Sequence, residues 1–244
     1  HCDSRRQRQM CIRDRMNTRY NQKTDELIHS VNIKENHSQA YQDLFALTML
    51  GSKKNGRYLE IGANHPTEFN NTWLLESEFK WQGISVEIDE RFQGEFVLQR
   101  GNDCHLADAT TFDWKEAIKN KGWKKKRFDY VSIDCEPPNI TLKALENLPL
   151  EEYRFSVITF ESDLYAHGPR CRDIQRKILN DLGYQIVARD VANGGNQFED
   201  WWIDPQVIDT VTWGPFISHG AEARTLFIKC CLLYTSPSPR DQLG

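Results

Sequence analysis

No apolar run in the 244 residues approaches the roughly 18 to 20 that a membrane span needs. No charged-then-apolar stretch of the secretory kind opens the chain either. The seven cysteines contain no CxxC pair, and the dinucleotide fingerprint GxGxxG is missing. Positive charge is not in excess: 31 Lys and Arg against 35 Asp and Glu give −4, which supports no polyanion-binding surface. These absences point to a cytoplasmic domain with neither a membrane nor a nucleic acid as partner. The composition, 39% hydrophobic and 27% charged, excludes a disordered or fibrous chain.

The two ends stand apart from the rest. Residues 5–15, RRQRQMCIRDR, and 231–241, CLLYTSPSPRD, resemble the in-frame translation of transposase-type sequencing adapters. Segments never selected to pack should add no strand or helix to a core. One domain is therefore expected over 16–230, with its core at about 38–205, between tails at 1–15 and 231–244. Without the tails, 25 basic residues face 32 acidic ones, a charge of −7. Cys104, Cys135, Cys171 and the junctional Cys230 then remain, in a pattern that fits reduced structural thiols better than a disulfide frame or a zinc site.

After a polar lead-in at 16–36, apolar residues recur at helical spacing from Tyr41 to Leu50, and Gly51 can close that helix. Five short runs rich in β-branched or aromatic residues follow: RYLEIG (57–62), GISVEI (83–88), CHLAD (104–108), FDYVSID (128–134) and FSVITFE (155–161). Helical stretches separate them, at 72–79, 114–120, 141–148 and 171–183. Strands alternating with helices at this interval predict βαβ units on a parallel sheet. YQIVARDV (184–191), the turn-prone NGGN (193–196) and FEDWWIDP (198–205) add a hairpin, so the sheet should end in an antiparallel pair.

Each of the five runs ends on or near an acid: Glu60, Glu87, Asp108, Asp134 and Glu161. Open α/β sheets bind ligands at the carboxyl ends of their strands. At the first end, EIGAN (60–64), Gly62 allows a ligand close to the backbone, and Ala63 and Asn64 continue the turn. Carboxylates there would repel a diphosphate but favour a cationic ligand such as S-adenosylmethionine, with its amino group and sulfonium. Glu87, closing the second strand, can accept hydrogen bonds from two ribose hydroxyls. Asp108 and the adjacent Ala109 sit where an adenine amino group could be held.

SQAYQDLF (38–45), YLEIGAN (58–64), NNTWLLE (70–76), WQGISVEID (81–89), FDYVSIDCE (128–136), FESD (160–163) and FEDWWIDP (198–205) together resemble the FkbM-type S-adenosylmethionine-dependent methyltransferases. The resemblance covers roughly 38–205. It implies a seven-stranded Rossmann-like class I methyltransferase fold and O-methylation of a sugar or related small metabolite, a small-molecule or glycan acceptor. Two departures stand out: His65-Pro66 where the family often has a glycine two residues after the Asn, and Glu136-Pro137-Pro138 where it has an acid and a glycine.

Methyl transfer from a sulfonium needs an aligned acceptor and a base for its proton. The candidate bases are Glu136, Asp134 and His167, with Glu161 and Asp163 close in sequence. Glu136 lies two residues past Asp134, so in an extended segment both point to one side of the strand end. Asp134, Glu136 and Glu161 are also oxygen donors that suit a divalent cation, a possibility less favoured than a metal-free site. Two other readings stay open, a nicotinamide-dependent oxidoreductase on a similar sheet and an inactive cofactor-binding module.

Overall fold

The computed structural model describes residues 37–235. Glu35–Cys230 form one compact unit. The expectations for 1–36 and 236–244 lie outside the described residues.

The described chain runs α1 (Gln42–Met49), β1 (Arg57–Ile61), α2 (Trp73–Ser77), β2 (Gln82–Glu87), α3 (Gln93–Gln99), β3 (Asp103–Leu106), α4 (Trp114–Asn120), β4 (Arg127–Ile133) and α5 (Pro138–Asn147). It continues with β5 (Arg154–Glu161), α6 (Leu164–His167), α7 (Arg170–Asp181), β6 (Gln185–Asn193), β7 (Asn196–Ile203), α8 (Thr210–Trp213), β8 (Ser218–His219) and α9 (Ala223–Thr235). The eight strands form one sheet in the order β3-β2-β1-β4-β5-β7-β6-β8. Only β7 opposes the rest: β1 to β5 pair in parallel, β7 is antiparallel to both β5 and β6, and β8 pairs parallel to β6.

The sheet is covered on both faces, which is why its central strands are nearly continuous apolar runs. Leu59, Ile84, Val131 and Ile158 are inaccessible, packed with Ile118 of α4, Leu145 of α5 and Leu179 of α7. Successive strand residues point to opposite faces. Trp202 thus joins that cluster, while its neighbour Trp201 packs tilted against Phe45 of α1, with ring centroids 4.6 Å apart. Both tryptophans are core residues. The hairpin turn has Gly194 at φ 60° and Gly195 at φ 85°, the left-handed pair of a type I′ turn.

One expectation is corrected. The sheet has eight strands, because Ser218–His219 adds a two-residue edge to β6. The hairpin of β6 and β7 is the expected antiparallel pair at this end of the sheet, with β7 inserted between β5 and β6 and only β8 beyond. The compact unit ends at Cys230, and the helix α9 runs from Ala223 to Thr235. Among the described residues no helix is long and apolar enough to cross a membrane.

Glu199 on β7 gives the fold a pH dependence. It is buried, accepts a 2.6 Å hydrogen bond from Trp201 Nε1, and burial pushes its carboxyl up to about 8 from an ordinary 4.5. The native state therefore binds this proton more tightly than the unfolded chain. The corresponding stabilisation is complete below pH 4.5 and is lost as pH rises through about 8. Asp43, raised by burial to about 6, acts in the same direction. Between pH 5 and 8.5 the melting temperature should fall, and Glu199→Gln should flatten that slope by removing a contribution on the order of a few kcal/mol. Parallel slopes for variant and parent in thermal melts would reject the assignment.

Candidate functional site

The chain crosses from one half of the sheet to the other between β1 and β4, which are neighbours, and this switch point opens a crevice at the carboxyl ends of the strands. A cavity of about 700 Å³ occupies it. Its floor is the turn after β1. Gly62 has φ +76°, and its N–H donates to the Val86 carbonyl at 2.9 Å. The Asn64 N–H donates to Glu87 Oε2 at 2.6 Å, while the Ile88 and Asp89 N–H groups each donate to Oε1 at 2.8 Å. Glu87 thereby ties the end of β2 to the turn after β1. Glu60 is buried beneath, accepting from Ser85 Oγ at 2.7 Å across the ladder, and burial raises its pKa against the opposing pull of Arg100. Asp108, at the end of β3, is exposed and accepts from the Thr110 N–H and hydroxyl at 2.8 and 2.7 Å, which hold its carboxyl below the usual range.

The loop from His65 to Thr72 is held by two residues. The His65 ring caps it: Nδ1 accepts from the Thr67 and Glu68 N–H groups at 3.2 and 3.0 Å, and Nε2 lies 2.9 Å from Glu95 on α3. The His-Pro departure therefore closes this loop with a side chain. The second residue is Arg100, buried behind it. All five of its N–H groups are engaged, by Glu76, the Pro66 carbonyl, Asn70, Tyr58 and Thr72, at 2.7–3.2 Å. Burial alone would lower its pKa, but Tyr58, Glu60 and Glu76 push it up. Arg100→Met keeps bulk and removes the charge, leaving Glu60 and Glu76 uncompensated. A loss of about 3–5 kcal/mol is expected, measured by urea denaturation. A change below about 1 kcal/mol would mean the pairs are fully solvated.

Past the switch point, Asp134 follows β4 and donates its N–H to the Ile61 carbonyl at 2.9 Å. Its carboxyl is hydrogen-bonded to that of Glu161 at the end of β5. Burial raises both, Asp134 adds to the rise of Glu161, and Asp163 pushes both further, while the hydrogen bond from Glu161 partly offsets the rise of Asp134. The pair retains a proton where ordinary carboxylates have lost theirs. Cys135 lies between, its thiol pushed up to about 12 by burial and the surrounding carboxylates, which excludes it as a thiolate nucleophile. Asp163 is buried, with a left-handed backbone at φ 43°.

Of the residues expected in the site, Glu60, Gly62, Ala63, Asn64, Glu87, Asp108, Ala109, Asp134 and Glu136 all line the cavity, Glu136 from an exposed position. His167 does not: it ends α6 on an exposed surface. The lining also includes Phe69, Asn71, Ile88 and the hairpin residues Asn193 and Asn196, which sequence reasoning did not single out. Asn71 sits in the NNTW motif, the one signal available for it. Among the described residues no group of three or more His, Cys, Asp or Glu is placed to hold a metal ion.

The sheet order, with one reversed strand between β5 and β6, and the cavity at the strand ends define a Rossmann-like class I methyltransferase fold. No family model and no curated protein matches the chain. Solved structures similar to it include an O-methyltransferase from Bacillus cereus in complex with SAH, at 16% identity over 75% of this chain and 89% of that one, TM-score 0.46. The N-methyltransferase NodS from Bradyrhizobium japonicum, with S-adenosyl-L-homocysteine, aligns at 15% identity over 67% and 85%, TM-score 0.43. An rRNA methylase from Streptococcus thermophilus aligns at 11% identity over 70% and 97%, TM-score 0.43.

Proposed function

We propose that this chain is an S-adenosylmethionine-dependent O-methyltransferase acting on a hydroxyl of a sugar or related small metabolite. The observation that carries the reading is the arc of strand-end carboxylates Glu60, Glu87, Asp108, Asp134 and Glu161 around one cavity, floored by a glycine turn. A volume of about 700 Å³ lies within the range of small-molecule sites. The donor set fits a ligand with a cationic amino acid end and a ribose. Glu87 spends three acceptor sites on backbone N–H groups, and a carboxylate has about four, so it can still take a ribose hydroxyl. Gly62, Ala63 and Asn64 present a backbone that no side chain screens at the glycine. Ile88, 70% exposed at the cavity wall, offers an apolar face for an adenine ring.

When bound, the cofactor supplies a methyl group on a sulfonium. The residues of the chain have two tasks: to hold an acceptor hydroxyl in line with that carbon, and to take its proton as the oxygen–carbon bond forms and the carbon–sulfur bond breaks. Asp134 and Glu161 are the pair suited to receive the proton. The resemblance of the motif series to FkbM-type enzymes supports a hydroxyl rather than an amine as the methylated atom.

Calorimetry with S-adenosylmethionine tests the cofactor half of this reading. The parent should bind it and not NADH, and Glu87→Ala should weaken binding by about 1–3 kcal/mol through loss of hydrogen bonds to a charged acceptor. Unchanged affinity in a variant with the parent's far-UV spectrum would sink the assignment. Tritiated methyl transfer onto a panel of glycans and hydroxylated metabolites tests the acceptor half.

A further inference from the structure

The half of the cavity formed by β4 to β7 contains Asp134, Glu136, Glu161 and Asp163, and among the described residues no lysine, arginine or histidine lines it. Among the described residues the one lining cation, Arg91, is on the other side and is held by Asp89, with Nε 2.8 Å from Oδ2. Two acceptors that line the cavity have no donor among the described residues. Asp163 is only 7% exposed, and its carboxylate accepts no hydrogen bond, not even from the helix it precedes. Asn71 is 6% exposed; its Nδ2 donates to Ser132 while its Oδ1 has no partner. A buried acceptor without a donor, as Asn71 Oδ1 is, is costly unless a ligand satisfies it, and the Asp163 carboxylate is left open to the same ligand.

We propose, building on the methyl-transfer reading above, that the acceptor carries a protonated amine beside the hydroxyl that is methylated, the ammonium seated against Asp163 with Glu136 and Asn71 Oδ1 within its reach. An ammonium has three donors and no acceptor, the complement of this lining. Tyr165 and Phe198 line the same stretch, and aromatic faces attract cations. A metal-bound diol would also bring positive charge, but no three ligating side chains among the described residues converge as an ion requires. A phosphorylated, carboxylated or nucleic-acid acceptor would meet like charge from all four carboxyl groups of this half.

The test uses the full chain saturated with S-adenosylhomocysteine and a matched set: glucosamine, kanamycin A, glucose and glucuronate. Binding is followed by ligand-observed NMR. The aminated members should bind at least about tenfold more tightly than glucose, with glucuronate weakest. Asp163→Asn, which tolerates the same left-handed backbone, should remove most of that preference while leaving S-adenosylhomocysteine affinity unchanged. Glu136→Gln should reduce it in part. Equal or tighter binding of glucose or glucuronate overturns the proposal, as does no binding of either amine, or an amine preference intact in Asp163→Asn. Failure of S-adenosylhomocysteine to bind would overturn the cofactor reading instead, and the amine preference is then measured on the ligand-free protein.

Discussion

Gly62→Ala should leave little folded protein, or lower the melting temperature by at least about 10 °C, as a loss near or above 5 kcal/mol does in a domain of this size. A Cβ at this position would lie 1.8 Å from the Asp134 carbonyl oxygen and 2.7 Å from its carbon. These are backbone atoms, so no rotamer change can relieve the contact. Withdrawal of Asp134 would break its 2.9 Å hydrogen bond to the Ile61 carbonyl and prise β4 from β1 at the cavity floor. The positive φ adds a second penalty that alanine bears and glycine does not. Gly94, inside α3, is the control: a Cβ there meets nothing within 4 Å, so Gly94→Ala should stabilise by about 0.5–1 kcal/mol. A Gly62→Ala protein that melts like its parent would mean that the two strands separate easily at this point, and the cavity floor would need another description.

The strands were legible because a sheet covered on both faces needs unbroken apolar runs, and each run here ends in an acid that marks the strand end. The helix α3 gave no such signal. Its sequence QGEFVLQ contains a glycine and buries only Phe96, with Val97 and Leu98 exposed, so no apolar face repeats at helical period. Two residues of β8 are too few to carry a pattern. In the site, residues reached by counting along strand ends fall on the cavity, because the parallel register brings every strand end to one edge. His167 is the exception among the residues expected there: the single turn of α6 carries it past Asp163 to the surface, and sequence distance from β5 could not foretell that turn. Arg100 escaped notice for the opposite reason. Nothing near it in sequence marks it, and its partners lie 24 to 42 residues away.

Asp134→Asn should lower methyl transfer by about 10²–10⁴-fold, the range lost with a general base, while S-adenosylmethionine affinity stays close to the parent's. The sequence alone favoured Glu136 for this role, by its extended spacing from Asp134. The surroundings of the two side chains now separate them. Glu136 is exposed at the rim, whereas Asp134 is partly covered and shares a hydrogen bond with Glu161. Burial and the neighbouring carboxylates hold the pair's pKa values up, and a base works best when its pKa lies near the working pH. Two close carboxyl groups cannot both ionise easily, so one retains a proton and the other is free to accept the acceptor's. Asparagine keeps the shape and the hydrogen bond but cannot take part in that exchange, leaving Glu161 to titrate alone. Beyond the lower rate, the rising limb of kcat/KM against pH should therefore shift in Asp134→Asn, since that limb reports the pair rather than either residue. Glu136→Gln should keep the parent's pH profile and lose less than about tenfold in rate, as expected of a group that orients the acceptor without taking its proton. The reverse pattern, with the profile and most of the rate lost in Glu136→Gln and retained in Asp134→Asn, would move the base to the rim of the cavity.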